Sequence, residues 1–161
     1  MTIATGHERV LAHAAEVGLD VQIVERPAAR SLDEAAVLLG IPPHSLVKSL
    51  VVKRHDGDYL FALVPGDRQI SWRKLRAIVG VNKLRLPDPA LAHAATGYER
   101  GTITPLGSTR VWPVFADSTI TGERIAMGAG EHGFSAFVDA DAMIAAVGAT
   151  VADISDPIDE G

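Results

Sequence analysis

The chain has 161 residues, a length that fits one domain with its own hydrophobic core. It contains no cysteine, which excludes disulfides, thiolate nucleophiles and sulfur-ligated zinc, and which is compatible with a reducing cytoplasm. The net charge of −5 argues against a protein that coats nucleic acid through its overall field. Residues 1–18 mix charged and apolar side chains at helical spacing. We therefore predict no signal peptide and no membrane span, and we expect a cytoplasmic protein.

Helical and strand patterns alternate along the chain. The predicted helices cover residues 5–18, 32–39, 72–79, 89–95 and 139–148. The predicted strands cover residues 21–24, 46–53, 58–64, 83–86, 110–120, 123–129, 133–138 and 150–154. Ser31 and Glu34 form a capping-box pattern before the second helix, and Gly40 is its stop signal. Ser71 is the predicted N-cap of the third helix, and Gly80 is predicted to end it.

These elements predict an α+β fold in a single domain. Several neighbouring strands are joined by segments too short for crossovers, so they must pair antiparallel. A mixed, mostly antiparallel sheet or a partly closed β-barrel, surrounded by helices, follows. We place the domain at residues 1–155 and a short acidic tail at 156–161, and we expect the segment SDPIDEG to be disordered.

One lysine lies in the middle of an apolar strand. In the predicted hairpin strand, Leu46, Leu50 and Val52 share one face with Lys48, because side chains alternate with a period of two. A lysine at a sheet edge can lay its stem on apolar surface and keep its ammonium in water. Alternatively, Lys48 lines a pocket, where partial desolvation strengthens its attraction for a phosphate or a developing oxyanion.

Basic residues are concentrated in the segment GDRQISWRKLRAIVGVNKLR, residues 66–85. This segment carries six arginines and lysines against one acid, whereas residues 86–161 carry three basic and eleven acidic residues. A local basic patch can dock a polyanion such as tRNA, and the candidates are Arg73, Lys74, Arg76 and Lys83. A solvated helix face is the alternative interpretation.

The segment GAGEHG, residues 128–133, matches the GxGxxG pattern literally. A dinucleotide site needs a helix that begins inside the glycine run. The residues that follow, Phe134 to Val138, alternate as in a strand, so we interpret the glycines as a turn. The chain has no GxSxG elbow and no histidine pair at metal-ligand spacing, so we predict no metal and no cofactor.

Three separated segments together resemble a known family. They are LVKSLVV (46–52), TGYERGTITPLG (96–107) and GAGEHGFSAFVDADAM (128–143). In order and spacing they are similar to the YbaK-type aminoacyl-tRNA deacylases, which include cysteinyl-tRNA(Pro) deacylase and the editing insertion of bacterial prolyl-tRNA synthetases. The resemblance covers roughly residues 20–155. It implies hydrolysis of mischarged aminoacyl-tRNA in trans, most readily cysteinyl-tRNA(Pro) or another small aminoacyl-tRNA.

The resemblance also implies roles for individual residues. Lys48 falls on the essential lysine of the family, and Ser49 takes the place of a threonine usual in the YbaK branch. Ser135 falls where the synthetase insertion has a histidine and the YbaK branch a small residue. Hydrolysis would then be assisted by the lysine without a metal, with help from the substrate's own thiol or ribose hydroxyl.

The loop between residues 96 and 107 is the remaining part of the implied substrate site. Gly101, Pro105 and Gly107 fall where the loop of the family closes on the aminoacyl group. Glycine suits such a loop because it allows positive φ and close approach of the backbone to a ligand. Implied partners are aminoacyl-tRNA and, for delivery, prolyl-tRNA synthetase or an elongation factor.

A second class of function stays open from the sequence. The same fold can serve as a non-catalytic domain that binds tRNA ends, a nucleotide or a synthetase, because a fold does not fix a function. Lys48 distinguishes the two, since a binding domain can keep its affinity without the lysine whereas an enzyme loses rate. The sequence does not determine which amino acid is removed, because one methylene changes discrimination by only about 1–3 kcal/mol.

Overall fold

The computed structural model describes residues 5–55 and 57–158. Within them the α-helices are α1 (Gly6–Val17), α2 (Leu32–Leu39), α3 (Trp72–Val79), α4 (Pro89–Thr96) and α5 (Ala140–Val147). The strands are β1 (Gln22–Glu25), β2 (Val47–Arg54), β3 (Tyr59–Pro65), β4 (Arg68–Ile70), β5 (Leu84–Arg85), β6 (Val114–Asp117), β7 (Arg124–Gly128), β8 (Phe134–Asp139), β9 (Thr150–Ala152) and β10 (Ser155–Pro157). None of the helices in these ranges is long and apolar enough to cross a membrane.

The helix boundaries follow from local capping. Ser31 Oγ accepts the backbone N–H of Glu34 at the start of α2, and Ser71 Oγ accepts that of Lys74 at the start of α3. Gly40 and Gly80 end these two helices in the left-handed conformation. Both predicted helices are confirmed with the bounds expected from the sequence.

The strands form three sheets. The largest is mixed, in the order β5-β2-β3-β6-β9, with antiparallel pairs up to β3 and parallel pairs from β3 to β9. Strands β1, β8 and β7 form a second, antiparallel sheet, and β10 pairs with β4. An isolated bridge between Leu46 and Ala126 connects the two larger sheets. The α+β prediction is confirmed in its mixed-sheet form, because the sheets do not close into a barrel.

Strand β2 is apolar on both faces, as the sequence predicted. Val47 and Val51 belong to the main core beneath α1, α4 and α5. Val52, on the opposite face, packs with Leu60 and Leu75 under α3. Because β2 is packed on both faces, the side chains of the residues between these valines are held in fixed directions.

The C-terminal segment differs from the prediction. Strand β10 begins at Ser155, and Asp156 and Pro157 pair with Gln69 and Arg68 of β4, so the disorder expected from residue 155 onward is wrong for these residues. Neither three-residue strand was predicted, because each is too short and too polar to show alternation. Residues 159–161 of the expected tail lie outside the described residues.

Candidate active site

A cavity of about 510 Å³ lies between β2, β8 and the loop that follows α4. Lys48 and Ser49 reach it from β2, Gly101 from the loop and Ser135 from β8. These four residues were predicted as site residues from three separate parts of the sequence. The fold brings them to the walls of one cavity.

Lys48 is held by a backbone carbonyl. Its Nζ donates a hydrogen bond of 2.6 Å to the Arg68 carbonyl oxygen at the start of β4. The side chain is partly buried, and burial lowers the pKa of Lys48, while the nearby charge of Asp67 acts in the opposite direction. An ammonium has three N–H donors, so two remain for a ligand after this bond is made.

Two serines also line the cavity, and their environments differ. Ser49 Oγ is buried and has no hydrogen-bond partner among the described residues. Ser135 is 2% exposed, and its Oγ accepts a 3.0 Å hydrogen bond from Nε of Arg26. Because buried hydroxyls are normally paired, the unpartnered Ser49 hydroxyl is suited to meet a polar ligand atom.

Gly101 requires glycine for its backbone conformation. Its φ is +88°, in the region that L side chains rarely adopt. Space is not the limit, because an added Cβ would lie 3.8 Å from Cε1 of His132, an ordinary contact. Of the two reasons for which glycine suits this loop, the structure shows the positive φ at Gly101.

The other two predicted loop residues, Pro105 and Gly107, lie outside the cavity wall. Gly107 instead anchors the loop to α1. Its N–H donates to Nδ1 of His13 at 2.7 Å, and its carbonyl accepts from the guanidinium of Arg9. A Cβ on Gly107 would lie 2.5 Å from the Tyr98 hydroxyl, so no other residue fits without displacement.

The guanidinium of Arg9 also stacks on the ring of Tyr98, 4.4 Å from the ring centroid. Burial raises the pKa of Tyr98 to about 12, although the charge of Arg9 opposes this shift. The neutral phenol therefore donates steadily to the Leu106 carbonyl, at 2.7 Å. Helix α1 and Tyr98 together fix the base of the loop that carries Gly101.

Three further cations line the cavity and were missed by sequence reasoning. They are Arg26, Arg30 and Arg100, which join Lys48 in a wall where, among the described lining residues, no Asp or Glu occurs. Burial lowers the pKa of Arg26. The only sequence signal was the position of Arg100 beside Gly101, since Arg26 and Arg30 belong to no motif. A concave site with four cations and no carboxylate favours an anionic ligand.

The residues predicted to bind tRNA lie apart from the cavity, on and after α3. Arg73 and Lys83 are exposed, and Arg76 is partly buried. Lys74 contacts the C-terminal segment, with its Nζ 2.9 Å from Asp156 and 3.1 Å from Asp153. Hydrogen bonds to Asp156 and Asp153 raise the pKa of Lys74. Lys74 therefore differs from the other three residues of this set, because its ammonium is paired with carboxylates of the C-terminal segment.

The glycine-rich segment 128–133 connects two strands. β7 ends at Gly128 and β8 begins at Phe134, so the helix that a dinucleotide site needs is absent from this described segment. Gly130 has a φ of +79°, and its backbone packs directly against Gly6 at the start of α1. In residues 5–55 and 57–158, no three His, Asp or Glu side chains form a cluster that could hold a metal ion.

Comparison with known proteins identifies the family to which this chain belongs. The family model of the aminoacyl-tRNA editing domain matches residues 26–146, which is most of the chain. The chain therefore belongs to this family, the YbaK-type editing domains.

The curated proteins that it resembles are longer than this chain. The proline–tRNA ligase of Nitratidesulfovibrio vulgaris strain Hildenborough is 37% identical over 100 residues, which cover 62% of this chain and 17% of the ligase. The ligase of Thermotoga neapolitana is 37% identical over 99 residues, with the same coverage. The chain thus spans less than a fifth of the length of these curated relatives.

A solved structure described as a candidate trans-editing enzyme for prolyl tRNA synthetase matches over nearly the whole chain. The TM-score is 0.87 at 26% sequence identity, covering 96% of this chain and 99% of that one. This match extends beyond residues 26–146 of the family model at both ends.

Proposed function

We propose that this protein hydrolyses the ester bond of mischarged aminoacyl-tRNA in trans, with Lys48 assisting the reaction. The observation that carries the proposal is the cavity in which Lys48, Ser49, Gly101 and Ser135 meet without a carboxylate among the described lining residues. A terminal nucleotide brings a phosphate, and ester hydrolysis develops negative charge on the carbonyl oxygen. Both are stabilised by an oriented ammonium in a partly desolvated site.

Hydrolysis of the ester requires little more of the protein than positioning of the substrate. Water adds to the carbonyl carbon of the ester, and the tetrahedral intermediate collapses with release of the ribose hydroxyl and the free amino acid. The proton lost by the water ends on the ribose oxygen. Since the described cavity wall holds no His, Asp or Glu that could act as a base, the protein contributes orientation and charge stabilisation, and a substrate hydroxyl or thiol carries the proton.

The substrate we propose is cysteinyl-tRNA(Pro), followed by alanyl-tRNA(Pro) and other small aminoacyl groups. Support comes from Ser49 and Ser135, which stand at the positions that distinguish the YbaK branch, and from the candidate trans-editing relative. Delivery by prolyl-tRNA synthetase or an elongation factor, in the cytoplasm, belongs to the same proposal.

The test measures deacylation of cysteinyl-, alanyl- and seryl-tRNA(Pro) by the purified protein and by Lys48→Ala. Loss of one oriented donor reduces kcat by about 10²–10³-fold. Lys48→Arg keeps the charge while changing its geometry, and we expect it to recover only part of the rate. Circular dichroism and melting curves of all variants show whether the fold is intact.

Undiminished deacylation by a folded Lys48→Ala variant would contradict the role of the lysine. Absence of turnover on every substrate, together with tRNA binding that survives the substitution, would instead favour the non-catalytic binding domain. The two results are distinguishable because one concerns rate and the other affinity.

A further inference from the structure

A row of basic and aromatic side chains crosses the large sheet near the β2–β3 turn. Lys53 of β2 lies directly opposite Arg85 of β5 on one side and Tyr59 of β3 on the other. The Tyr59 ring contacts Trp112 edge-on at a centroid distance of 5.3 Å. Arg110 stacks over Trp112 at 4.8 Å. We call Arg85, Lys53, Tyr59, Trp112 and Arg110 the cross-strand row.

The charges of this row are unbalanced. Lys53 and Arg85 are like charges directly opposite each other, an arrangement that destabilises an antiparallel pair. Among the described residues, none of Lys53, Arg85 and Arg110 has a carboxylate within ion-pair distance, in contrast to Lys74. Arg85 and Arg110 are exposed, and Lys53 and Tyr59 are partly exposed. The repulsion is relieved when an anion binds between the cations.

The row adjoins the cavity. Val51 lines the cavity and precedes Lys53 by two residues, so the two side chains share one face of β2. Leu86, which follows Arg85 directly, also lines the cavity. Ser49, which also lines the cavity, is on this same face and precedes Lys53 by four residues, a distance of about 13 Å. A polymer whose end lies in the cavity beside Ser49 can therefore continue over the row.

We propose that the cross-strand row binds the RNA backbone that leads into the cavity, at the acceptor end of the substrate tRNA. The inference rests on the proposed function for the identity of the RNA. The exposed cations of the row match the phosphates of a single-stranded nucleic acid, and the partly exposed ring of Tyr59 beside Lys53 offers a surface on which a base can stack. The buried ring of Trp112 holds the Arg110 guanidinium in place, while Arg85 and Lys53, directly opposite each other, can both donate hydrogen bonds to phosphate oxygens.

The test uses Arg85→Glu, for which the proposal predicts opposite effects on binding and stability. A glutamate opposite Lys53 turns a repulsive pair into an attractive one, so the melting temperature rises. Affinity for uncharged tRNA(Pro), measured by fluorescence anisotropy, falls by about tenfold. The slope of log K against log salt decreases by about 0.7–0.9, because one phosphate is no longer neutralised by the protein.

Arg124→Glu is the matched control. Arg124 is also an exposed strand arginine, but it lies in β7 and bonds Gln22. We expect this variant to bind tRNA nearly as well as the wild type. Equal weakening by both substitutions would mean a general field effect and would overturn the proposal, as would unchanged affinity in Arg85→Glu.

The failure of this inference is separable from failure of the proposed function, because the probe is uncharged and no ester is cleaved. Binding that depends on Arg85 without deacylation of any mischarged tRNA contradicts only the function. Deacylation with a KM insensitive to Arg85→Glu contradicts only the row.

Discussion

The cavity and the C-terminal junction both gather cations, and they use them in opposite ways. The C-terminal junction consists of Arg68, Lys74, Asp117, Asp153, Ser155 and Asp156. There each cation contacts a carboxylate or a hydroxyl of the C-terminal segment. Lys74 Nζ lies 2.9 Å from Asp156, and Arg68 Nε donates to Ser155 Oγ at 2.7 Å. The described wall of the cavity offers its four cations no carboxylate at all.

The difference shows which positive charges are free to meet a ligand. A cation that is already paired contributes to holding the chain together, and binding a phosphate there requires breaking the existing contact. A cation that faces a cavity without acids keeps its donors for a substrate. Substitutions at the junction should therefore change stability, and substitutions at the cavity should change catalysis or affinity.

The largest effect on stability is expected from Asp117→Ala. The carboxylate is fully buried and accepts hydrogen bonds from Ser155 Oγ at 2.8 Å and from the Ile154 N–H at 3.1 Å, as well as from Thr119. Its removal leaves these donors unpaired, at a cost of about 3–5 kcal/mol. Urea unfolding measures this loss. Asp139→Ala, which removes only the cap of α5, costs about 1 kcal/mol and is the control.

Asp117 also predicts the response to acid. Burial acts to raise the pKa of Asp117, but hydrogen bonds from Thr119, Ser155 and Ile154 outweigh it and hold the pKa below its usual value. A depressed folded-state pKa adds stability at pH values above that of unfolded Asp, about 3.9, and this stability is lost as the pH falls through the folded value. Asp117→Ala should flatten the acid limb of the stability curve, and an unchanged limb would contradict this assignment.

On the cavity side, Arg100→Ala should raise KM for the mischarged tRNA by about tenfold, equivalent to 1.4 kcal/mol, with a smaller change in kcat. The exposed guanidinium binds substrate and transition state alike, because it lies on the wall beside Gly101 rather than at the lysine. Steady-state kinetics measure both constants. A melting temperature that falls as much as in Asp117→Ala would break the distinction between the two regions.

Helix α3 provides an intermediate case. If it contacts the acceptor stem, the double variant Arg73→Glu and Arg76→Glu should weaken tRNA binding and reduce the salt slope by about 0.9 for each phosphate that the helix no longer neutralises. Titrations at several salt concentrations give both values. Unchanged binding would return this helix face to the role of a solvated surface.

The smallest effect is expected at Lys74. Lys74→Met removes the contacts with Asp153 and Asp156, which are exposed and screened by water, so the melting temperature should fall by no more than about 2 °C. Deacylation and tRNA affinity should stay at the level of the wild type. A loss of affinity comparable to that of the α3 double variant would show that the lysine leaves its acidic partners for RNA.

Elements with local signals were predictable from the sequence, and their tertiary partners were not. Ser31 and Gly40 bounded α2 correctly because capping depends on residues only a few positions apart. Strands β4 and β10 were missed because three residues are too few to show periodicity, and their pairing joins positions about ninety residues apart in sequence.

The candidate site shows the same limit. Lys48 was identified because an ammonium in an apolar strand is a local anomaly. Arg26 and Arg30 have no such context, and it is the pairing of β1 with β8 and the packing of α2 against Leu46 that place them on the cavity wall. Lys74 was predicted to contact phosphate because its neighbours are basic, whereas its carboxylate partners follow about eighty residues later.

The anchoring of Gly107 bears on how this domain could be transplanted. Both partners of its backbone, Arg9 and His13, belong to α1, which lies before the family-matched residues 26–146. A chimera that received only the matched residues would leave the base of the Gly101 loop without these two supports. Donor segments for fusion to a synthetase or another tRNA-binding protein should therefore begin ahead of α1, or the recipient must supply an equivalent helix.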